Sequence, residues 1–357
     1  MDEDFNKFLI REFRGYGMIK LLQNEMRYTM QKNRILQKRP LGRTGLLVSP
    51  VGMGTLTMGF SQKNLPVADG AKIIVHAAEQ GINFFDTAQY YDTYRYLRPA
   101  LDEMKRRGLP MPVIASKTLA PDYEGAETAV HECLEELNLS AIDIFLLHEV
   151  RGVSDFQARQ GAWKTLQHCK EQGLIRAVGI STHHVDACRR MADEPACDVV
   201  FPLINKAGLG IRDKEHPGTR EDMEAAVLAC ANSGIGIFTM KAFGGGNLIE
   251  DYRSCLDYAS HIPGNTSVMI GMADCSQVDC AVEYFSGSLD RNYVPDTTGK
   301  HLMVDQSDCE GCGTCKARCV SRAIFWNSSG LAEIDQSKCV HCGYCAPVCP
   351  VRAIIFL

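Results

Sequence analysis

The sequence has no long apolar run: nothing in its 357 residues approaches the roughly 18 to 20 consecutive apolar positions that cross a bilayer. It also has no excess of positive charge. Lysine and arginine number 38 against 43 acidic residues, a net charge of −5, so no broad basic field exists to draw in a nucleic acid. The first residues, MDEDFNKFLIREF, are acidic and lack an apolar stretch ahead of a small-residue cleavage site, which argues against a secretory signal. Without export, the 16 cysteines are not a disulfide framework, and a reducing cytoplasm is expected. Eight of them (Cys133, Cys169, Cys188, Cys197, Cys230, Cys255, Cys275 and Cys280) are scattered with no close C-x-x-C pair, as buried free thiols would be.

Residues 1–38 carry apolar positions at mixed helical spacing, broken at Gly15 and Gly17. This predicts a partly helical arm packed on the body or on a partner subunit of a homo-oligomer. From Arg39 a regular alternation begins. Short apolar runs at 51–54 (VGMG), 82–86 (INFFD), 112–116 (PVIAS), 142–148 (IDIFLLH), 176–181 (RAVGIS), 198–204 (DVVFPLI), 234–240 (GIGIFTM) and 267–271 (SVMIG) predict buried strands. Amphipathic helical segments lie between them, two closed by Gly81 and Gly234, where a helix end needs a left-handed residue. Eight strand–helix units over about 250 residues predict an α/β fold, a closed (β/α)8 TIM barrel across 39–287. No G-x-G-x-x-G follows the first strand, which counts against an open doubly wound sheet.

In such a barrel, chemistry sits where strands end. The residues expected there are Asp86 with Tyr90 and Tyr91, Lys117, His148 and Glu149, Ser181 and Thr182, and Lys241. Four of these types make a chemical set. A lysine ammonium acidifies a nearby phenol, which then passes a proton to a carbonyl oxygen; an aspartate holds the lysine, and a histidine directs the carbonyl. Taken singly, a buried Asp or His at a strand end is more often structural.

The segments RPLGRTGLLVSPVGMGTLTMG, NFFDTAQYY, VIASKT, DIFLLH, VGIST and FTMKAFGGGNL closely resemble, in order and spacing, the aldo-keto reductases over about residues 39–287. The resemblance implies the tetrad Asp86, Tyr91, Lys117 and His148, with Tyr91 preferred to Tyr90 because the family's tyrosine stands five residues after its aspartate. It implies a small carbonyl or alcohol substrate and NAD(P)H lying across the strand ends. Gly54, Thr55 and Leu56 would flank the nicotinamide ribose, Ser181 and Thr182 the carboxamide, and Lys241, Gly244 and Gly245 the pyrophosphate. There are departures. The family's carboxamide glutamine and ring-stacking tyrosine fall on Phe201 and Ile204, Cys280 and Ala281 replace a Glu-Asn pair, and no basic residue awaits a 2′-phosphate.

The last fifty residues hold the other eight cysteines as two runs, C-x2-C-x2-C-x3-C from Cys309 and again from Cys339. Zinc would need two or four cysteines per site and leaves the third and fourth of each run unexplained. Residues 302–357 resemble the two-cluster bacterial ferredoxins, a small α+β fold in which the fourth cysteine of each run serves the other cluster. The resemblance therefore implies one [4Fe-4S] cluster on Cys309, Cys312, Cys315 and Cys349, and a second on Cys339, Cys342, Cys345 and Cys319. SRAI and VRAI, after the runs, would give apolar cover. Val320 stands where the first run would carry a proline. A Gly-, Ser-, Asp- and Pro-rich linker, 288–301, is short enough to keep the module on the barrel's own surface or a neighbouring subunit's.

The expected protein is thus an iron–sulfur oxidoreductase of the aldo-keto reductase type. Hydride carries two electrons and each cluster one, so a flavoprotein or ferredoxin is the expected redox partner. The alternative is acid/base elimination or epimerisation, or one-electron substrate chemistry, without exchangeable nicotinamide, which the changes at Phe201, Ile204 and Cys280 motivate.

Overall fold

The computed structural model describes residues 36–214 and 216–357; all but the last residues of the N-terminal arm lie outside them. Eight parallel strands close into a barrel: β1 (Val51–Gly54), β2 (Phe84–Asp86), β3 (Val113–Thr118), β4 (Ile142–Leu147), β5 (Ile175–Thr182), β6 (Val199–Pro202), β7 (Gly236–Thr239) and β8 (Asn265–Gly271). Neighbours follow chain order, and β8 closes the ring by pairing Val268 with Val51 and Gly271 with Gly54. Each strand feeds an outer helix: α1 (Val67–Glu79), α2 (Tyr94–Arg106), α3 (Tyr123–Leu137), α4 (Gln160–Glu171), α5 (Val185–Met191), α6 (Arg220–Asn232), α7 (Tyr252–Ser260) and α8 (Cys275–Phe285). No helix among the described residues is long and apolar enough to cross a membrane.

The period-two alternation of strand side chains sorts the core into two layers. Phe84, Ile144, Leu146, Val199, Phe201 and Phe238 fill the barrel, while Phe85, Phe145, Leu147 and Ile237 face the helices. Full burial of each stabilises by about 1.5 to 3 kcal/mol. Leu41, Leu46 and Val48 join the inner layer from an antiparallel hairpin, Arg39–Pro40 with Leu47–Val48. Helix starts are fixed by side-chain caps: Asp122 accepts from the Gly125 amide, Thr219 from Asp222 and Asp274 from Gln277.

All eight apolar runs form strands, but two of them end further on than the periodicity predicts. Lys117 lies within β3, and Ser181 and Thr182 within β5, because the ladders continue as Thr118 opposite Leu147 and Thr182 opposite Pro202. Their side chains are therefore set by a strand and not by a loop.

After α8 the chain runs without helix or strand to a small C-terminal module. There β9 (Leu302–Val304) pairs with β12 (Ile354–Phe356), and β10 (Ile324–Trp326) with β11 (Ala332–Ile334), both antiparallel. Pairing the module's first strand with its last returns the second cysteine run to the first. The repeats even share a bond: Asp305 N–H donates to Ala353 C=O at 2.7 Å, and Asp335 N–H to Ala323 C=O at 2.8 Å.

Candidate active site

Asp86 ends β2, Lys117 stands in β3, His148 follows β4, and Tyr91 closes a 3-10 turn, Gln89–Tyr91, after β2. Parallel register brings them together. Lys117 Nζ donates to both Asp86 carboxylate oxygens at 2.9 and 3.0 Å and to the Thr87 carbonyl at 2.6 Å, all buried. Tyr91 Oη lies 3.2 Å from His148 Nε2, with the rings edge to face. Tyr90, by contrast, is 46% exposed. Lys117 Nζ stands 4.6 Å from the Tyr91 ring centroid, so the ammonium faces the ring's negative surface. A buried ion pair costs desolvation that a hydrophobic pair would not, so this one points to chemistry more than to stability.

The charges act differently from the simple expectation of an acidified phenol. Burial pushes the Tyr91 phenol well above its ordinary range, and the carboxylates of Asp86, Asp308, Asp305 and Glu149 push the same way. Tyr91 therefore keeps its proton. Two of those carboxylates belong to the C-terminal module, which the sequence alone did not place here. Burial lowers Lys117 and raises Asp86 against their mutual attraction. His148 is held well below the usual imidazole range by burial, then by Lys117, His183, Arg159 and Lys241, and is neutral.

Sequence reasoning singled out none of four further contributors. Arg159 is buried and ties the β3 and β4 ends together, donating to the carbonyls of His148 at 2.8 Å and Thr118 at 2.9 Å. His183 sits near Lys241 and His148, and burial with the Lys241 charge keeps it neutral too. The His183–His184 pair directly after VGIST was its only visible signal. Asp305 and Asp308 precede the first cysteine run and carried none. At the barrel mouth Glu149 and Lys241 both adopt left-handed backbone, φ 53° and 58°, a conformation that non-glycine residues keep only where the surroundings enforce it.

The expected cofactor residues fall into two groups. Gly54, Thr55, Leu56, Ser181 and Thr182 line up at the ends of β1 and β5, but their hydroxyls serve the protein: Thr55 donates to Asp86 C=O at 3.0 Å, Ser181 accepts from the Glu149 amide at 2.8 Å, and Thr182 donates to Val150 C=O at 2.6 Å. Lys241, Gly244 and Gly245 do not face an open pyrophosphate path, because the C-terminal module lies on them. Lys241 Nζ is 2.6 Å from Asp308 Oδ2, Gly245 C=O accepts from Phe356 N–H at 2.9 Å, and Arg352 reaches the Gly244 carbonyl at 3.4 Å. Phe201 is buried and stacked on Phe238 at 4.2 Å, and Ile204 is buried between strands and helices. These residues do not fit a dinucleotide along the 240–247 loop.

The cysteines do fit iron–sulfur clusters. Cys309, Cys312, Cys315 and Cys349 line one cavity, and Cys319, Cys339, Cys342 and Cys345 line another, each with about 300 Å³ of space between atoms, part of it open to solvent. Val304, Ala332, Ala353 and Ile354 wall the first; Leu302, Ala323, Ile324 and Ile334 wall the second. Amide donors face equivalent sulfurs, Ala323 N–H to Cys319 Sγ at 3.2 Å and Ala353 N–H to Cys349 Sγ at 3.3 Å. Among the described residues no three His, Cys, Asp or Glu side chains converge as one metal ion would require. Val320 is 67% exposed, so the missing proline leaves no gap in the module's core. The eight cysteines of the barrel are all free thiols, six buried and Cys275 and Cys280 half-buried.

The family model for the aldo/keto reductase family matches residues 50–263, and that for the 4Fe-4S binding domain matches residues 332–355. The chain is 27% identical over 186 residues to L-galactose dehydrogenase of Arabidopsis thaliana, covering 50% of this chain and 58% of that protein. It is 28% identical over 244 residues to probable aldo-keto reductase 1 of Glycine max, covering 63% and 66%. In both cases the chain spans less than two thirds of the relative's length. A putative aldo-keto reductase structure from Pseudomonas aeruginosa aligns with TM-score 0.60 at 25% identity over 72% of this chain and 98% of that one. A Bombyx mori aldo-keto reductase solved in complex with NADP aligns with TM-score 0.54 at 16% identity, over 73% and 90%, and shares the fold.

Proposed function

The chain belongs to the aldo/keto reductase family and carries a C-terminal 4Fe-4S domain, and from that premise we propose that it interconverts a small carbonyl compound and its alcohol at the barrel mouth, with Tyr91 as the proton donor. The observation that carries this reading is the 3.2 Å contact of Tyr91 Oη with His148 Nε2 above the buried Asp86–Lys117 pair.

A carbonyl oxygen seated against Tyr91 Oη and His148 Nε2 receives two hydrogen bonds. His148 Nδ1 is buried without a partner, so the proton belongs on Nε2, which leaves an empty acceptor there and not an orphaned donor. Neutral His148 then orients the oxygen, while Tyr91, whose proton burial and then the surrounding carboxylates hold in place, transfers it only as charge develops on the substrate. Lys117 stabilises the tyrosinate that results, and Asp86 keeps Lys117 charged and fixed. Cys309, Cys312, Cys315 and Cys349 would hold one [4Fe-4S] cluster, and Cys319, Cys339, Cys342 and Cys345 the other, in the crossed pattern of two-cluster modules. Such clusters supply single electrons, so the redox partner is of the ferredoxin or flavoprotein type. The free thiols suit a reducing cytoplasm.

Replacing Tyr91 by Phe tests the assignment. Carbonyl reduction should fall about 10²- to 10⁴-fold, the usual worth of a general acid, with cluster absorption unchanged, whereas Tyr90→Phe should keep near-native rates. A Tyr91→Phe enzyme with native rates would refute it.

A further inference from the structure

The loop 240–247 is where the two parts of the chain meet. Beyond the Lys241–Asp308 bridge and the bonds from Phe356 and Arg352, Asn247 Nδ2 donates to Ile354 C=O at 2.8 Å. A Cβ on Gly246 would collide with the Phe356 carbonyl oxygen, and one on Gly245 would lie 2.9 Å from Ile355 Cγ2. The glycines expected to admit a pyrophosphate instead admit strand β12. The charge is also wrong for an anion: Asp308 neutralises Lys241, and Asp305 and Glu149 stand close enough to be felt at the same ammonium.

The first cysteine run is pinned over the mouth by two further contacts. Gln62, after β1, donates to Asp305 at 3.0 Å, and Arg151, after β4, lies 3.4 Å from Glu310. Glu310 and Cys309 together line the Cys309/Cys312/Cys315/Cys349 cavity. That cavity therefore begins one residue from Asp308, whose charge reaches Tyr91.

We infer that the 240–247 loop is the seat of the C-terminal module and no dinucleotide site, and that reducing equivalents reach the substrate singly from the Cys309/Cys312/Cys315/Cys349 site instead of as hydride from a bound nicotinamide. The inference rests on the reading of Tyr91 as proton donor. The reaction balances as C=O + 2 electrons + 2 protons → CH–OH. The cysteine sets around the two cavities would each hold a one-electron donor, which together would supply the electron pair, while Tyr91 gives the proton on oxygen and solvent gives the proton on carbon. The external reductant is a one-electron donor of the ferredoxin or flavodoxin class. A conjugated carbonyl is the suitable probe, because delocalisation makes the addition of a single electron less costly than at an isolated carbonyl.

The test uses the full-length, cluster-loaded protein without oxygen. NADH and NADPH are titrated while nicotinamide fluorescence and cluster absorption are followed. No saturable binding and no bleaching are expected; micromolar binding, or carbonyl reduction driven by either nucleotide, overturns the inference. Dithionite-reduced protein is then mixed with cinnamaldehyde, and the clusters should reoxidise with one alcohol formed per two clusters. Persistently reduced clusters also overturn it. Tyr91→Phe should reduce normally with dithionite but reoxidise at least a hundredfold more slowly. If Tyr91→Phe reoxidises at the native rate, the proton-donor reading fails. If nucleotide-driven turnover needs Tyr91, that reading stands and only the electron route fails.

Discussion

Lys241 Nζ and Asp308 Oδ2 lie 2.6 Å apart, joining the end of the seventh barrel strand to the residue before the first cysteine of the C-terminal module. Both side chains are largely shielded, at 20% and 17% exposure, so the bridge is worth more than a surface pair. It also explains why Lys241 tolerates a left-handed backbone: the ammonium is held from one side, while Gly244 N–H donates back to the Lys241 carbonyl at 2.8 Å. The charge that looked suited to a phosphate is spent within the chain.

Gly246 gives the most direct probe of this docking. Its φ of 86° disfavours any side chain, and a Cβ there meets the Phe356 carbonyl. Gly299, in the linker, has φ 77° with nothing within 4 Å. Gly299→Ala should therefore cost only the backbone term, roughly 1 kcal/mol, while Gly246→Ala adds a collision with backbone and should detach β12. Hydrogen exchange at Phe356 N–H, which bonds Gly245 C=O, should accelerate strongly in Gly246→Ala and little in Gly299→Ala. Equal protection in both variants would show that β12 does not depend on the loop.

Much of this was legible in the sequence because it is periodic or tightly spaced. Eight apolar runs mark eight strands, and Asp86, Lys117 and His148 stand on or beside strands whose order fixes their meeting. The cysteine runs are legible through their resemblance to two-cluster ferredoxins, which implies the crossed sets that share each cavity. What could not be read was long-range docking. Lys241 and the glycines after it are as suitable for a strand as for a phosphate, since both need close backbone approach and a positive charge. Asp305 and Asp308 look like ordinary turn residues, and only the tertiary fold brings them to Gln62 and Lys241 at the barrel mouth, where their charges are felt at Tyr91. The acidified phenol failed first because Tyr91 is buried, and then because the carboxylates arriving from another module, unlike Lys117, were not visible.

The neutral histidines predict a pH dependence of stability. His148 and His183 are held well below the ordinary imidazole range, chiefly by burial and then by neighbouring cations. An unfolded chain binds a proton at each near pH 6.5 while the folded chain does not, so their contribution is complete above that value and shrinks as pH falls below it. The pair can cost up to roughly 2.7 kcal/mol per pH unit. Asp86, Glu149 and Asp305, raised by burial, act in the opposite sense where they titrate. Guanidinium midpoints should drop between pH 7.5 and 5.5, and His183→Gln should remove about half of the drop. A midpoint independent of pH in the native protein would contradict neutral, buried histidines.

The crossed cysteine sets predict which losses travel together. Cys315 and Cys349 lie 34 positions apart, in different runs, yet line one cavity, while Cys319 lines the other with the second run. If each cavity holds its own cluster, Cys315→Ala and Cys349→Ala should each lose the same half of the iron and the same electron paramagnetic resonance signal. The double variant should lose no more, since two deletions at one site are not additive. Cys319→Ala should remove the other half, and combining it with Cys349→Ala should remove both. Were the runs to serve separate clusters without crossing, Cys315 and Cys319 would fail together and the Cys315→Ala/Cys349→Ala protein would be empty. Iron content and signal shape across these five variants decide between the two pairings, because only the crossed one makes the cluster beside Asp308 depend on a residue of the second run.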